Sequence, residues 1–429
     1  MINPEILRKT PELVRQSQAA RGESTTWVDE FAEQDSRWRA LTVQTDELKN
    51  EQKNLGKLIG SAKSSGDKKA LEDLTKRGTE IAEQIDQLAD SLEEAKQKSE
   101  AALKNISNLV DSTAPIGTEA DFKVIETHGT PRDFAKENLA IQDHVEIGKN
   151  LNLIDIERGA KVSGSRFYYL VNDGALLELA LVNFAMDIAR EFGFAPVIPP
   201  ALVKPQAMEG TGFLGQAAEN VYRIEADDMY LVGTSEVPLA AMHMDEILES
   251  KNLPIRYAGY SPCYRREAGS HGRDTRGIFR VHWFDKVEMF VFTKNEAAAD
   301  EHARLLEVEK TVLQRLEIPF RVIDVASGDL GSSAARKFDC EAWIPSMNEY
   351  RELTSTSNCT EFQSRRLKIR TRDENNKTQY VATLNGTLIA MTRTIVALLE
   401  NHQNKAGGVD IPKALQPYLQ NRTSFEPKN

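Results

Sequence analysis

From Trp38 the chain steps through Leu41, Thr45, Leu48, Gln52, Leu55 and Ile59. This mostly apolar series has alternating spacings of three and four, which keep one seam on one face of a helix. A second run repeats the pattern through Ile81, Ile85, Leu88, Leu92, Ala95, Ser99, Ala102 and Ile106. Between the runs, Ser61-Ala62-Lys63-Ser64-Ser65-Gly66-Asp67 is short and rich in turn formers, so the second helix is expected to fold back antiparallel on the first. The stripe is narrower than the face a compact bundle helix needs. The pattern predicts a long antiparallel helical hairpin, a coiled coil, over residues 35–110, each helix roughly 40 to 60 Å long at about 1.5 Å per residue.

After the hairpin the periodicity stops. Residues 111–125 contain Thr113, Pro115 and Gly117 and read as a linker, which sets an N-terminal unit at 1–110 and a second domain at 126–429. In that domain helices and strands mix, and several strands return through short turns, so the expected class is α+β with an antiparallel sheet flanked by helices. Neither a Walker loop nor a dinucleotide fingerprint occurs, which disfavours the parallel nucleotide-binding folds. Two strands, Ile255 to Glu267 and Ile278 to Phe292, are expected to form a hairpin around a basic loop at 268–277. Side chains two apart share a face, so Arg280, His282, Phe284, Lys286 and Glu288 line one side. A solvated face explains most of these charges. It does not explain Glu288, whose neighbours Val287, Met289, Phe290, Val291 and Phe292 are apolar, and a carboxylate there should have a cationic partner. Arg393, read as lying in an apolar helix from Thr387 to Leu399, poses the same choice between a structural ion pair and an anionic ligand.

The chain has 429 residues, enough for two or three domains, and 40% hydrophobic with 28% charged residues is an ordinary globular composition. No start resembling a signal peptide and no long apolar window is present, so a cytoplasmic protein without membrane contact is expected. The cysteines Cys263, Cys340 and Cys359 are far apart and suit buried free thiols better than a disulfide or zinc framework. A net charge of −11 argues against indiscriminate nucleic-acid binding. The hairpin tip is the exception. Lys49, Lys53, Lys57, Lys63, Lys68, Lys69, Lys76 and Arg77 face only four acidic residues between 49 and 77, which fits either a solvated face or a phosphate-binding surface.

In this order the segments resemble the class II aminoacyl-tRNA synthetases, and among them the zinc-free seryl-tRNA synthetase family. Gly193 to Pro200 is similar to the first class motif. Tyr264-Arg265-Arg266-Glu267 with the strand through Phe284 is similar to the second, and Asn385 to Glu400 to the third. Thr234-Ser235-Glu236, Phe284-Asp285-Lys286-Val287-Glu288 and Ser357-Asn358-Cys359-Thr360-Glu361-Phe362-Gln363 fall in register with them. The sequence departs from the family where Leu388 and Thr392 replace usual glycines of the third motif, although the spacing from Asn385 to Arg393 is kept.

The resemblance implies activation of L-serine by ATP and transfer of serine to the 3′ end of tRNA(Ser), with tRNA(Sec) a second candidate. It places Arg265, Glu352 and Arg393 at the chemistry. Serine would meet Thr234, Ser235, Glu236, Arg265, Glu288, Asn385 and Thr387, with its ammonium supplying the cation that Glu288 requires. ATP would meet Arg265, Arg266, Glu267, Val281, Phe284, Glu352, Leu353, Thr354, Ser355 and Arg393, and Mg2+ carried by ATP would meet Glu352 and Ser355. No zinc is implied. A homodimer is implied, and the hairpin tip gains a partner in the long variable arm of serine tRNA. The alternatives are a catalytically degenerate synthetase paralogue that binds RNA or protein, a homologue that loads an amino acid onto a carrier protein, and a synthetase for another amino acid.

Overall fold

The reversal in the arm occupies two residues. Helix α1, Thr26–Ser65, stops at Gly66, whose φ of 78° lies in the left-handed region that glycine enters without strain. Helix α2, Lys68–Asn105, starts behind Asp67, whose carboxylate caps the Ala70 amide at 3.0 Å. Most of the segment expected to turn is therefore helical, and Ala62 is buried near the tip. The first helix also begins earlier than expected, at Thr26 rather than near 35. Of the seam residues, Thr45, Leu55, Ile81, Ala95, Ser99, Ala102 and Ile106 are buried and the others half-buried, except Gln52, which faces solvent. Arg77 grips Glu51 across the hairpin through two bonds of 2.8 and 3.1 Å.

The computed structural model describes residues 1–215, 218–268 and 276–427. The chain divides into two compact units, Ile2–Ser107 and Asn108–Asn429 with Met1. In the first, short helices Pro4–Lys9 and Pro11–Ala20 precede the arm. Arg8 clasps Asp35 through bonds of 2.9 and 2.8 Å, and Gln18 exchanges two bonds of 3.2 Å with Ser107.

The second unit is built on an eight-stranded sheet of β1 (Lys123–His128), β2 (Ala195–Val197), β3 (Ile255–Tyr264), β4 (Trp283–Thr293), β5 (Phe320–Asp324), β6 (Arg336–Ile344), β7 (Glu349–Asn358) and β8 (Ala382–Ala390). Their order across the sheet is β1-β5-β6-β7-β8-β4-β3-β2, and every pairing is antiparallel except β2 with β3. Helices α3 (His144–Asn150), α4 (Asp173–Glu191), α5 (Ala298–Arg315) and α6 (Met391–Asn401) are further elements of this unit. Side chains of α4, α5 and α6 join one large apolar core with the sheet. Central β4 is buried along nearly its whole length, which accounts for its run of apolar residues on both faces.

Three local expectations change. The segment read as a linker already includes the start of β1 at Lys123, and before it the Asn108 and Asp111 amides bond to the Ser332 and Ala335 carbonyls. The central hairpin is shorter than expected: β3 ends at Tyr264 and β4 begins at Trp283, so Arg265 to Glu267 and Ile278 to His282 are irregular. Most of the loop between them, 269–275, lies outside the described residues. Thr387 to Ala390 belong to β8, and the helix that carries Arg393 starts at Met391.

Behind β4, Glu178 of α4 faces Asp285, which also accepts the Tyr260 hydroxyl at 2.5 Å. Burial, reinforced by Asp285, pushes the Glu178 carboxyl up to about 8 from 4.5. The folded chain therefore keeps this proton through a range in which the unfolded chain releases it. Stability tied to the group is greatest below about pH 4.5 and is lost as pH rises to about 8. Glu178→Gln should gain on the parent protein across that window, by roughly 1.4 kcal/mol per pH unit at most. Thermal melts at both ends of the window measure it, and an equal Tm difference at each would contradict the retained proton.

Candidate active site

Two β-bulges shape the floor of the site. In the ladder between β4 and β8, Val287 faces Ile389 and Glu288 faces Thr387, so Leu388 is the extra residue. In the ladder between β6 and β7, Cys340 faces Thr354 and Glu341 faces Glu352, so Leu353 is extra. Both leucines are buried in the core. Leu388, the departure at a usual glycine, thus fits its bulge by sending its side chain away from the site.

Thr387 donates to Glu288 Oε2 at 3.3 Å. Lys286 forms an ion pair with the same carboxylate and donates to Thr234 Oγ1 at 2.8 Å. Asn385 offers its amide to Glu236 at 2.8 Å and to Glu288 at 3.5 Å, while the Cys359 thiol points at its carbonyl oxygen from 3.8 Å. Gln363 completes the set, donating to Glu236 at 2.7 Å and accepting from Thr383 at 2.8 Å. Lys286, Glu288, Glu236 and Gln363 are all buried. Burial first, then the neighbouring Glu288, pushes Glu236 up to about 7. The pocket therefore holds two buried carboxylates against one lysine, a charge balance that favours a second cation.

Next to this pocket a cleft is lined by Arg265, Glu267, Phe279, Arg280, Val281, Phe284, Lys286, Glu352, Leu353, Thr387, Thr392 and Arg393. The Arg265 guanidinium lies over the Phe284 ring at 5.2 Å and donates to the Gly233 carbonyl at 3.1 Å. Arg393 lies over Phe279 at 5.1 Å, donates to the Glu352 carbonyl at 2.9 Å and stands 3.5 Å from its carboxylate. Glu267, with a φ of 50°, accepts from Arg280 at 2.9 Å. Burial works to raise the Glu352 carboxyl, but Arg393, Lys337 and Arg265 outweigh it and hold the group below its ordinary value. Besides Arg280 and Lys286, which pair with Glu267 and Glu288, the cleft presents the guanidiniums of Arg265 and Arg393, a half-open carboxylate and aromatic faces, a set suited to a planar base and a chain of phosphates.

The expected residues divide cleanly. Thr234, Glu236, Glu288, Asn385 and Thr387 converge in one network, and Arg265, Glu267, Val281, Phe284, Glu352, Leu353 and Arg393 line the adjoining cleft. Others point elsewhere. The Ser235 hydroxyl donates to the Gly259 carbonyl at 3.0 Å, and Thr354 turns under the sheet to Glu309 at 2.9 Å. Ser355 faces Asp339 across the ladder, and the Arg266 amide donates to the Asn220 carbonyl at 2.9 Å while its side chain is outside the cleft. Glu288 already meets one cation within the chain. Its cation is Lys286, two positions back on the same strand face, a spacing visible in the sequence. Phe279, Arg280 and Gln363 received no role from the sequence because irregular backbone or a different element brings each one in. At the arm tip all seven lysines are exposed with no carboxylate in ion-pair range among the described residues, whereas Arg77 is held by Glu51 and Glu80.

Known proteins place this geometry. Residues 1–110 match the seryl-tRNA synthetase N-terminal domain, and residues 220–402 match the class II tRNA synthetase core domain for G, H, P, S and T. The serine–tRNA ligase of Streptomyces coelicolor is 59% identical over 427 residues, covering 100% of this chain and 99% of its own. The chain belongs to the seryl-tRNA synthetase family. A Nocardioides serine–tRNA ligase is 57% identical over 427 residues, 100% of this chain and 99% of its own. Seryl-tRNA synthetase from Pyrococcus horikoshii complexed with ATP superposes with a TM-score of 0.93 at 39% identity, covering 100% of both chains. The cytoplasmic serine–tRNA ligase of Naegleria fowleri in complex with AMP gives 0.90 at 32% identity over 100% of this chain and 99% of its own.

Within this synthetase fold, Lys286 makes a direct prediction. Lys286→Met leaves Glu288 buried without its cation and should cost about 3 to 5 kcal/mol in urea unfolding. Adding Glu288→Gln removes the stranded charge, so the double variant should be more stable than Lys286→Met alone. A double variant that loses the sum of both single effects would show that the two groups act independently.

Proposed function

We infer that the chain is an ATP-dependent serine–tRNA ligase. It joins L-serine to ATP as seryl-adenylate with release of pyrophosphate, then transfers the seryl group to the 3′ end of tRNA(Ser). The observation that carries this reading is the continuity of a small carboxylate-rich pocket with a cationic, aromatic cleft, in a chain 59% identical to a named serine–tRNA ligase.

The α-ammonium of serine enters where Glu236 and Glu288 are under-compensated. Glu288 Oε2 is taken by Lys286 and Thr387, which leaves Oε1, met among the described residues by Asn385 at 3.5 Å, for the substrate. Thr387 and Thr234 offer hydroxyls at the same end. A pocket built to bond a hydroxyl rejects alanine strongly because its polar groups would be stranded, whereas threonine must be excluded by size, a filter of about 1 to 3 kcal/mol per methyl. Arg265 stands between pocket and cleft, where it meets both the serine carboxylate and the α-phosphate. It stabilises the charge that builds as the carboxylate oxygen attacks phosphorus in line and the bond to pyrophosphate breaks. Phe284 stacks on adenine, Glu267 meets its amino edge, Val281 adds apolar contact and Arg393 holds the terminal phosphates.

A magnesium ion carried by ATP prefers hard oxygen donors and takes only one or two from protein. Glu352, held below its ordinary value by its cationic neighbours, fits that need, and Ser355, three residues further along β7, is the second donor the sequence offers. The ion would supply charge neutralisation at the phosphates. The arm's exposed lysines would meet the phosphates of tRNA(Ser), with tRNA(Sec) a second acceptor. Three buried thiols outside any disulfide suit a reducing cytoplasm. Val162, Leu176, Leu179 and Ile198 are exposed apolar side chains on and around α4, which supports a homodimer. Sedimentation should show two chains, with Leu179→Asp shifting the population toward monomer, and a monomeric parent protein would refute the assembly.

Serine-dependent ATP–pyrophosphate exchange tests the activity. Arg265→Ala and Glu288→Ala should each abolish it, by roughly 100-fold or more. Equal exchange with alanine, or none with serine in folded protein, would overturn the assignment. Deleting 49–77 should leave exchange intact while tRNA charging collapses and loses its salt dependence. Loss of both activities would make the arm a support for the fold.

A further inference from the structure

Away from the reacting groups, His144 and Glu400 form a buried pair. His144 opens α3 and Glu400 lies on α6, the helix that carries Arg393. Glu400 Oε1 accepts both the His144 amide at 3.1 Å and its Nδ1 at 2.8 Å, and Oε2 accepts the Ser346 amide at 3.0 Å. The other imidazole nitrogen meets the Ile278 amide at 3.2 Å. A backbone amide can only donate, so Nε2 must be the unprotonated acceptor and Nδ1 carries the hydrogen given to Glu400.

Gly277 makes this contact feasible. It adopts φ of 84°, and a Cβ there would overlap the imidazole. Arg276 adds a tether outside, 3.0 Å from Asp143, the cap of α3. Inward from Ile278 the chain has no strand ladder until Trp283, yet Phe279, Arg280, Val281 and Phe284 form one wall of the cleft. Its other end is fixed at Arg265 and His282, whose backbones and imidazole exchange two bonds of 2.9 Å. The His144 contact is thus the anchor at the near end of a wall that lacks regular backbone pairing.

We propose that His144 is a positioning residue for the nucleotide: oriented by Glu400, its Nε2 holds the Ile278 amide and so fixes Phe279 to Phe284 in register with Arg393. Through Glu400, the same pair ties that wall to the helix bearing the arginine of the terminal phosphates. The proposal rests on the reading of the cleft as an ATP site, and the serine pocket, built on β4, β8 and the Thr234 segment, serves as an internal control.

The test is ATP–pyrophosphate exchange with separate titrations of ATP and serine. Parent enzyme showing no serine-dependent exchange would defeat the functional reading itself, before any variant is compared. Given exchange, His144→Leu should raise KM for ATP by about tenfold while KM for serine stays within about twofold, the scale of one lost hydrogen bond. His144→Gln, whose carboxamide oxygen can still accept the Ile278 amide, should recover most of that loss. Gly277→Ala keeps the buried pair but pushes the wall off the imidazole, and it should reproduce the ATP-selective effect even where His144→Leu folds poorly. Parallel loss of ATP and serine affinity in these variants, or a lowered Tm with both KM values unchanged, would make the pair a purely structural clasp and overturn the proposal.

Discussion

Glu288 cannot be buried in the middle of β4 unless its charge is met, and much of the site follows from that requirement. Lys286 meets it along the strand, and Thr387 and Asn385 meet it from β8. Glu236 is then drawn into the same low-dielectric space by Asn385 and Gln363. The resulting network is nearly satisfied, and the remaining imbalance is negative. A site of this kind is preorganised: its donors are oriented by one another, so little reorganisation is needed when an ammonium and a hydroxyl enter.

The bulges at Leu388 and Leu353 are what let one sheet serve as both core and active site. Strict alternation would carry the side chains on either side of each leucine to faces set by the pleat alone. An extra residue resets that alternation. Thr387 then meets Glu288 and Glu352 opens to the cleft, while both leucines remain in the core. Small residues are not required at Leu388 because the bulge directs its side chain inward.

Much of this was legible from the chain. The heptad seam announced the hairpin, the apolar surroundings of Glu288 announced a buried charge, and the order of the three motifs announced the family. The arm's ends were misplaced because helix continues wherever neither proline nor an unfavourable φ intervenes. Ser61 to Ser65 remain good enough helix residues until Gly66 permits the reversal. Arg393 lies on a shorter helix than its sequence suggests, since an apolar run does not distinguish the end of a buried strand from the start of a buried helix.

The sequence by itself determined which segments are periodic, which charges sit among apolar neighbours and which chemistry-bearing residues occur in a recognisable order. Each of these is a property of residues close along the chain. Tertiary structure alone decided that Ser235 and Thr354 turn away from the site and that Gln363 joins it. It also alone brought His144 and Glu400, 256 residues apart, together under Ile278. Those outcomes depend on sheet register, bulges and helix docking, where a shift of one residue exchanges the faces of a strand, and no local pattern encodes such a choice.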